Sequence, residues 1–216
     1  PPQFITPLEA LDVADAADIK TVIVSFGPLD QPLIEALKER DFKIIAHSTH
    51  MLEALLWEEI GADAHLLQSS EAGGLSPSFM GDSSERLMQS SDLLLAQGSE
   101  LLSKPLIIAA DLFRHGDFVA KLAQGAAGVA LDSALLMSQE SALTGAQKAV
   151  VWESNEYDSI VTEEWSGRLG RVLMNDGLRT IQKCRGAVPP FPIQHLASTQ
   201  LLAAAPKAEL VAQYAP

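Results

Sequence analysis

Short apolar runs rich in Val and Ile alternate along this chain with longer segments whose apolar positions return every three or four residues. The runs are residues 21–26 (TVIVSF), 42–46 (FKIIA), 64–68 (AHLLQ), 106–110 (LIIAA) and 128–131 (GVAL). They are near-continuous rather than alternating, the pattern of parallel strands buried on both faces. The segments between them predict helices at 32–40 after Asp30, at 51–60 capped by Thr49, at 85–96 capped by Ser83 or Ser84, and at 117–124. Gly61 and Gly125 close two of these. Strand starts at 21, 42, 64, 106 and 128 lie about 21 or 22 residues apart, save one interval near 42 that holds a long loop. The result is a βα array with right-handed crossovers. Beyond 150 the pattern changes: 150–153 reads as one more short strand, 162–175 as helical in part, and 196–214 as a terminal helix pair broken at Pro206. No stretch has linker composition, so residues 1–216 read as a single domain.

Composition narrows the function classes. Fifteen Lys and Arg against 28 Asp and Glu give a net charge of −13, which argues against a nucleic-acid surface, where clustered cations must displace counterions. An acidic membrane face would repel the chain too, and no apolar run approaches the roughly 20 residues that cross a bilayer. The single cysteine, Cys184, forms no intramolecular disulfide and fits a reducing, cytoplasmic setting. The chain opens on Pro1-Pro2 without Met and without the pattern of a signal peptide, which reads as a piece of something longer or a processed product.

In α/β sheets and barrels ligands bind at the carboxyl ends of the strands. Those ends carry Ser25-Phe26-Gly27, Ala46-His47-Ser48, the run from Gln68 to Gly74 (QSSEAGG), Ala110-Asp111-Leu112 and Leu131-Asp132-Ser133. Paired glycines after a strand let a backbone approach a ligand closely. The run QSSEAGG, preceded by Gly61-Ala62-Asp63, resembles the QGxEAGGH signature of the nitronate monooxygenase family. VIVSFG, the gapless segment PLIIAADLFRHGDFVAKLAQGAAGVALDSALLMSQES and the following VWESNEYDSIVTEEWSGRLGRVLMN are similar to that family as well, the last with Thr162, Gly167, Arg168, Arg171 and Asn175 at family positions. Residues 20–177 are covered.

The resemblance implies an FMN-dependent (β/α)8 barrel of the TIM type, here partial, with strands 4–8 and extra C-terminal helices. It implies FMN contacts at Gln68, Gly73 and Gly74 around the ring, and at Ala130, Leu131, Asp132 and Ser133 around the phosphate. It also implies a small-molecule substrate, alkyl nitronates or a relative oxidised with O2. No His pair has helical metal spacing and a single Cys builds no zinc site, so no metal is expected. Two departures stand out. The His that closes the family signature, its proton-abstracting base, is Leu75, which transfers no proton; nitronates, already deprotonated, escape that loss, whereas nitroalkanes do not. The family's phosphate-cradling Gly-Gly is Ala110-Asp111, and with Asp132 this brings two carboxylates toward a dianionic phosphate. At about 4 Å and an effective dielectric near 20, each unit-charge pair costs roughly 4 kcal/mol. These substitutions leave two alternatives open: an inactive homologue with a decayed flavin site serving as a binding or scaffold domain, and an enzyme using Asp111 and Asp132 with a divalent cation. His47, at a strand end, reads as a hydrogen-bonded side chain beside the barrel mouth or as a ligand or base; His65 and His115 read as structural. Trp57 and Trp165 read as packing, and Trp152 as edging a last strand. A sheet this short leaves exposed edges that invite homo-oligomers.

Overall fold

The computed structural model describes residues 6–27, 31–79, 88–183 and 186–204. Asp30, Ser83, Ser84, Cys184 and Pro206 lie outside the described residues. A first helix, α1 (Pro7–Ala16), precedes β1 (Thr21–Val24), α2 (Gln31–Glu39), β2 (Lys43–Ser48), α3 (Met51–Ile60), β3 (Ala64–Gln68) and a two-residue β4 (Gly74–Leu75). Then come α4 (Ser91–Leu101), β5 (Leu106–Ala109), α5 (His115–Ala123), β6 (Gly128–Ala130), α6 (Gly145–Glu153), β7 (Ser159–Thr162), β8 (Gly170–Leu173), α7 (Asp176–Lys183) and α8 (Ile193–Ala204).

Five strands form one parallel sheet in the order β1-β2-β3-β5-β6. All five coincide, within two residues at either end, with the apolar runs of the sequence. Their burial differs from the two-sided expectation. The register sets Ile44 and Ala46 of β2, His65 and Leu67 of β3, and Leu106 and Ile108 of β5 on one face, where all are buried. Ala54, Trp57, Leu94 and Leu95 from α3 and α4 pack into the two apolar clusters on that side. The alternate residues, Ile45, His47, Leu66, Gln68, Ile107, Ala109 and Ala130, share the opposite face, which the described helices leave largely uncovered. Side chains in a strand point to alternate faces, so a run of apolar residues can serve a helix-covered face and an inner face together.

A second sheet, β4-β8-β7, is antiparallel. It replaces the helix expected over 162–175, because Gly170–Leu173 pairs with Ser159–Thr162 on one side and with Gly74–Leu75 on the other. Residues 150–153 are helical, the end of α6, and Trp152 is exposed there instead of edging a strand. Helix α3 has His50 at its N-cap, without a side-chain cap, and Thr49 bonds to Glu53 within the first turn instead.

His65, on the helix-covered face, bonds Glu58 of α3 at 2.6 Å from Nε2 to Oε2, and Glu58 Oε1 accepts from the Ser103 backbone N–H at 3.0 Å and from the Ser103 hydroxyl. Burial pushes the Glu58 carboxyl up, but the bonds from Ser103 and His65 outweigh it and hold the group below its ordinary value of 4.5. A depressed carboxylate stabilises the fold above its unfolded pKa and loses that contribution as pH falls through the folded one. Glu58→Gln is therefore expected to cost about 1 kcal/mol at pH 7, with the gap from the unmodified chain closing below about pH 4.5. Urea unfolding at several pH values checks this, and a gap that widens in acid contradicts it.

Candidate active site

The inner face and the loops that crown it form a cavity of about 180 Å³ lined by His47, Leu66, Gln68, Ala72, Gly73, Ala109, Ala110, Ala130, Leu131, Asp132 and Ser133. Six of the seven positions expected to meet a cofactor therefore meet at one place: Gln68, Gly73, Ala130, Leu131, Asp132 and Ser133. Gly74 and Leu75 lie just beyond the lining, in β4, where they pair with Arg171 and Gly170 of β8. Of the two aspartates, Asp132 lines the cavity, while Asp111, an exposed residue, stands outside it. Among the described residues, no group of three His, Cys, Asp or Glu side chains gathers where a metal ion could be held. No described helix is long and apolar enough to cross a membrane.

Local bonds fix the loop over the cavity. The Gln68 amide N–H2 donates to the Leu75 carbonyl at 3.2 Å and approaches the Gly73 carbonyl at 3.5 Å, so the strand end holds the glycine turn that follows it. Gly74 has φ +84°, a conformation that an L side chain adopts only with strain, and nothing lies within 4 Å of where its Cβ would stand. Arg171 grips the same loop from the second sheet, its Nε and Nη2 donating to the Ser70 carbonyl at 3.0 and 2.9 Å and its Nη1 to the Ser159 hydroxyl at 2.9 Å. The short β4 strand follows from these bonds, since two residues alone supply little pairing.

His47 is half-buried, and its Nδ1 lies 2.8 Å from the Ser25 hydroxyl at the end of β1. Burial lowers its pKa below 6.5; a hydrogen bond with Gln68 and the charge of Glu53 act in the opposite direction. Glu53 itself is fully buried on α3 and accepts from the Thr49 N–H at 3.2 Å, the Ser78 hydroxyl at 2.8 Å and the Phe79 N–H at 2.7 Å. Arg168 donates to the Ser78 carbonyl and lies over the rings of Phe26 and Phe191, 5.1 and 5.4 Å from their centroids. Burial lowers the Arg168 pKa, and Glu53 opposes that too. The sequence reading missed this acid–arginine network. The available signal was a carboxylate at position 53 among the apolar residues of MLEALLW, where a charge has no reason to be buried unless partners meet it.

The cavity can take part of a flavin nucleotide. Its small lining residues Ala109, Ala110 and Ala130 and the hydroxyl of Ser133 suit a planar ring and a phosphate. Its volume lies below the roughly 300 Å³ at which ligand pockets usually begin, so these walls would enclose only a portion of such a molecule. The one carboxylate in the lining belongs to Asp132, which is exposed. Water screens it, so the repulsion of a unit charge at 4 Å falls from the roughly 4 kcal/mol expected above toward about 1 kcal/mol.

A family model described as nitronate monooxygenase matches residues 7–213. A probable nitronate monooxygenase of Staphylococcus aureus strain JH9 is 30% identical over 195 residues, which cover 90% of this chain and 55% of that protein. The chain thus spans about half the length of the curated relatives it matches. A crystal structure of nitroalkane oxidase from Streptomyces ansochromogenes superposes with a TM-score of 0.82 at 29% identity, covering 95% of this chain and 59% of the other. FabK from Thermotoga maritima, at 23% identity, shares the fold with a TM-score of 0.71, over 93% of this chain and 60% of its own. The five-stranded parallel array is of the (β/α)8 type expected from the sequence.

Proposed function

Because the chain belongs to the nitronate monooxygenase family, we propose that it serves as a flavin-dependent oxidoreductase that oxidises alkyl nitronates, or a related small substrate, with O2. The observation that carries this reading is the convergence of Gln68, Gly73, Ala130, Leu131, Asp132 and Ser133, up to 65 residues apart in sequence, on one cavity at the carboxyl ends of β3, β5 and β6. Bound flavin mononucleotide would supply the electron-accepting chemistry that no side chain here can perform.

The chain's own part is binding and placement. Gln68 fixes the Gly73–Gly74 turn through its bonds to backbone carbonyls, and the glycine there leaves room for a flat ring to rest against backbone. Leu66, Ala109 and Ala130 offer an apolar wall, which excludes water from one side of the ring. Ser133 donates a hydroxyl toward the phosphate end. Arg171, spent on the Ser70 carbonyl and Ser159, keeps the loop over the cavity closed instead of binding the ligand itself. A nitronate carries its charge already, so the absence of a proton acceptor at Leu75 does not block its oxidation.

Purified protein is expected to be yellow or to take up added FMN with quenching of flavin fluorescence. Gln68→Ala, which frees the turn, is expected to weaken FMN binding about tenfold, the equivalent of one hydrogen bond of about 1.4 kcal/mol. Colourless protein that takes up no FMN would overturn the proposal.

A further inference from the structure

We infer that His47, held by Ser25, is a second proton acceptor in the cavity and takes over from the missing base at Leu75, so that neutral nitroalkanes are substrates as well as nitronates. The inference deepens the flavin-dependent reading and rests on it for the substrate class.

The geometry carries it. His47 lies on the inner face of β2 and lines the same cavity as Gln68 and Gly73, whereas Leu75, one loop away, does not. Its Nδ1 meets the Ser25 hydroxyl at 2.8 Å. That hydroxyl can accept the Nδ1–H, which leaves the lone pair on Nε2. Ser25 from the end of β1 and Gln68 from β3 bond the ring, Glu53 from α3 acts on it by charge, and Asp132 from the turn after β6 lines the same cavity. Burial keeps the free ring neutral and ready to accept; Gln68 and Glu53 favour the imidazolium that forms once a proton arrives. His65, by contrast, sits on the helix-covered face and is tied to Glu58, out of reach of the cavity.

In the step, the Nε2 lone pair forms an N–H bond as the α C–H bond of the nitroalkane breaks. The electron pair left on carbon moves into the nitro group and gives the nitronate, with the proton on His47 as imidazolium. Nothing is oxidised in this step, so it proceeds without electron transfer. Ser25 is a positioning residue that sets the ring's orientation.

The test is the exchange of the α protons of nitroethane in D2O, without oxygen, followed by proton NMR on the full chain with and without FMN. The unmodified protein is expected to exchange them faster than buffer, with the rate falling in acid as His47 titrates. His47→Gln is expected to slow exchange by about 10²–10⁴-fold, with the fold retained as judged by melting temperature. Ser25→Ala is expected to slow it less and to move the pH at which the rate falls. Should His47→Gln fail to fold, the NMR titration of the ring in the unmodified chain decides the question: its midpoint must match that of the exchange rate, and a mismatch overturns the inference. Exchange no faster than buffer, or exchange unchanged in His47→Gln, overturns the inference while leaving flavin-dependent nitronate oxidation in place. Protein that exchanges the protons but binds no FMN supports His47 and overturns the oxidoreductase reading instead.

Discussion

Glu53→Ala is expected to destabilise the fold by about 3–5 kcal/mol, the largest single effect among the substitutions considered. Its carboxylate is fully buried and accepts bonds from two backbone amides, Thr49 and Phe79, and from the Ser78 hydroxyl. Alanine removes the acceptor while leaving those donors in place, and a buried donor without a partner retains its full desolvation penalty. It also takes away a charge whose field reaches Arg168 and a carboxylate oxygen 3.5 Å from His50 Nε2. The segment 76–79 would be released with it, together with the edge contact of Phe79 on Trp57 at 6.3 Å. For a chain of this length the loss lowers Tm by roughly 6–20 °C. Urea unfolding measures it, and a loss under about 1 kcal/mol would show that the network is not held through Glu53. Glu53→Gln, which keeps one acceptor, is expected to fall between.

Gly167→Ala is expected to cost about 2–4 kcal/mol. The residue has φ +77°, and a Cβ placed there would stand 2.3 Å from the Pro189 carbonyl oxygen, 2.6 Å from the Phe191 nitrogen and 2.8 Å from the Pro190 carbonyl carbon. The left-handed conformation costs an L residue roughly 1 kcal/mol, and overpacking adds about 1–3 kcal/mol. All three neighbours are backbone atoms, which cannot swing aside as the end of a leucine can. The strain would push the 189–191 segment outward and separate Phe191 from Phe26, whose rings stack at 5.8 Å. A lower Tm in thermal unfolding is the readout, and an unchanged Tm would contradict the close approach of the two segments.

The strands were legible because a parallel sheet writes itself as short Val and Ile runs at regular spacing, and the glycine turn after β3 because the motif around it is specific. What lay beyond reach has physical causes. Gly170–Leu173 and Ser159–Thr162 are four residues each and owe their strand form to one another and to Gly74–Leu75, some 95 residues away; no local periodicity records such pairing, so tertiary contact overrode the helical pattern. Helix α1 did leave a signal, the capping box between Thr6 and Glu9 with Pro7 opening the helix, but of its apolar residues it buries only Leu11. At the site, the residue types were readable and their orientation was not. Both aspartates follow strands in the same way, yet one lines the cavity and the other stands outside it. Ser25 and His47 were each visible at a strand end, but their partnership depends on the register of β1 against β2.

Along β2, β3 and β5 the residues that hold the fold together and those that line the cavity occupy alternate positions of the same few strands. In β2, Ile44 and Ala46 pack against the helices while His47 lines the cavity, so a substitution at His47 acts on the cavity with little effect on the packed face, whereas one at Ala46 or Leu67 does the reverse. Such a division lets selection, or an engineer, rewrite the cavity face of this sheet repeatedly while its foundations stay as they are.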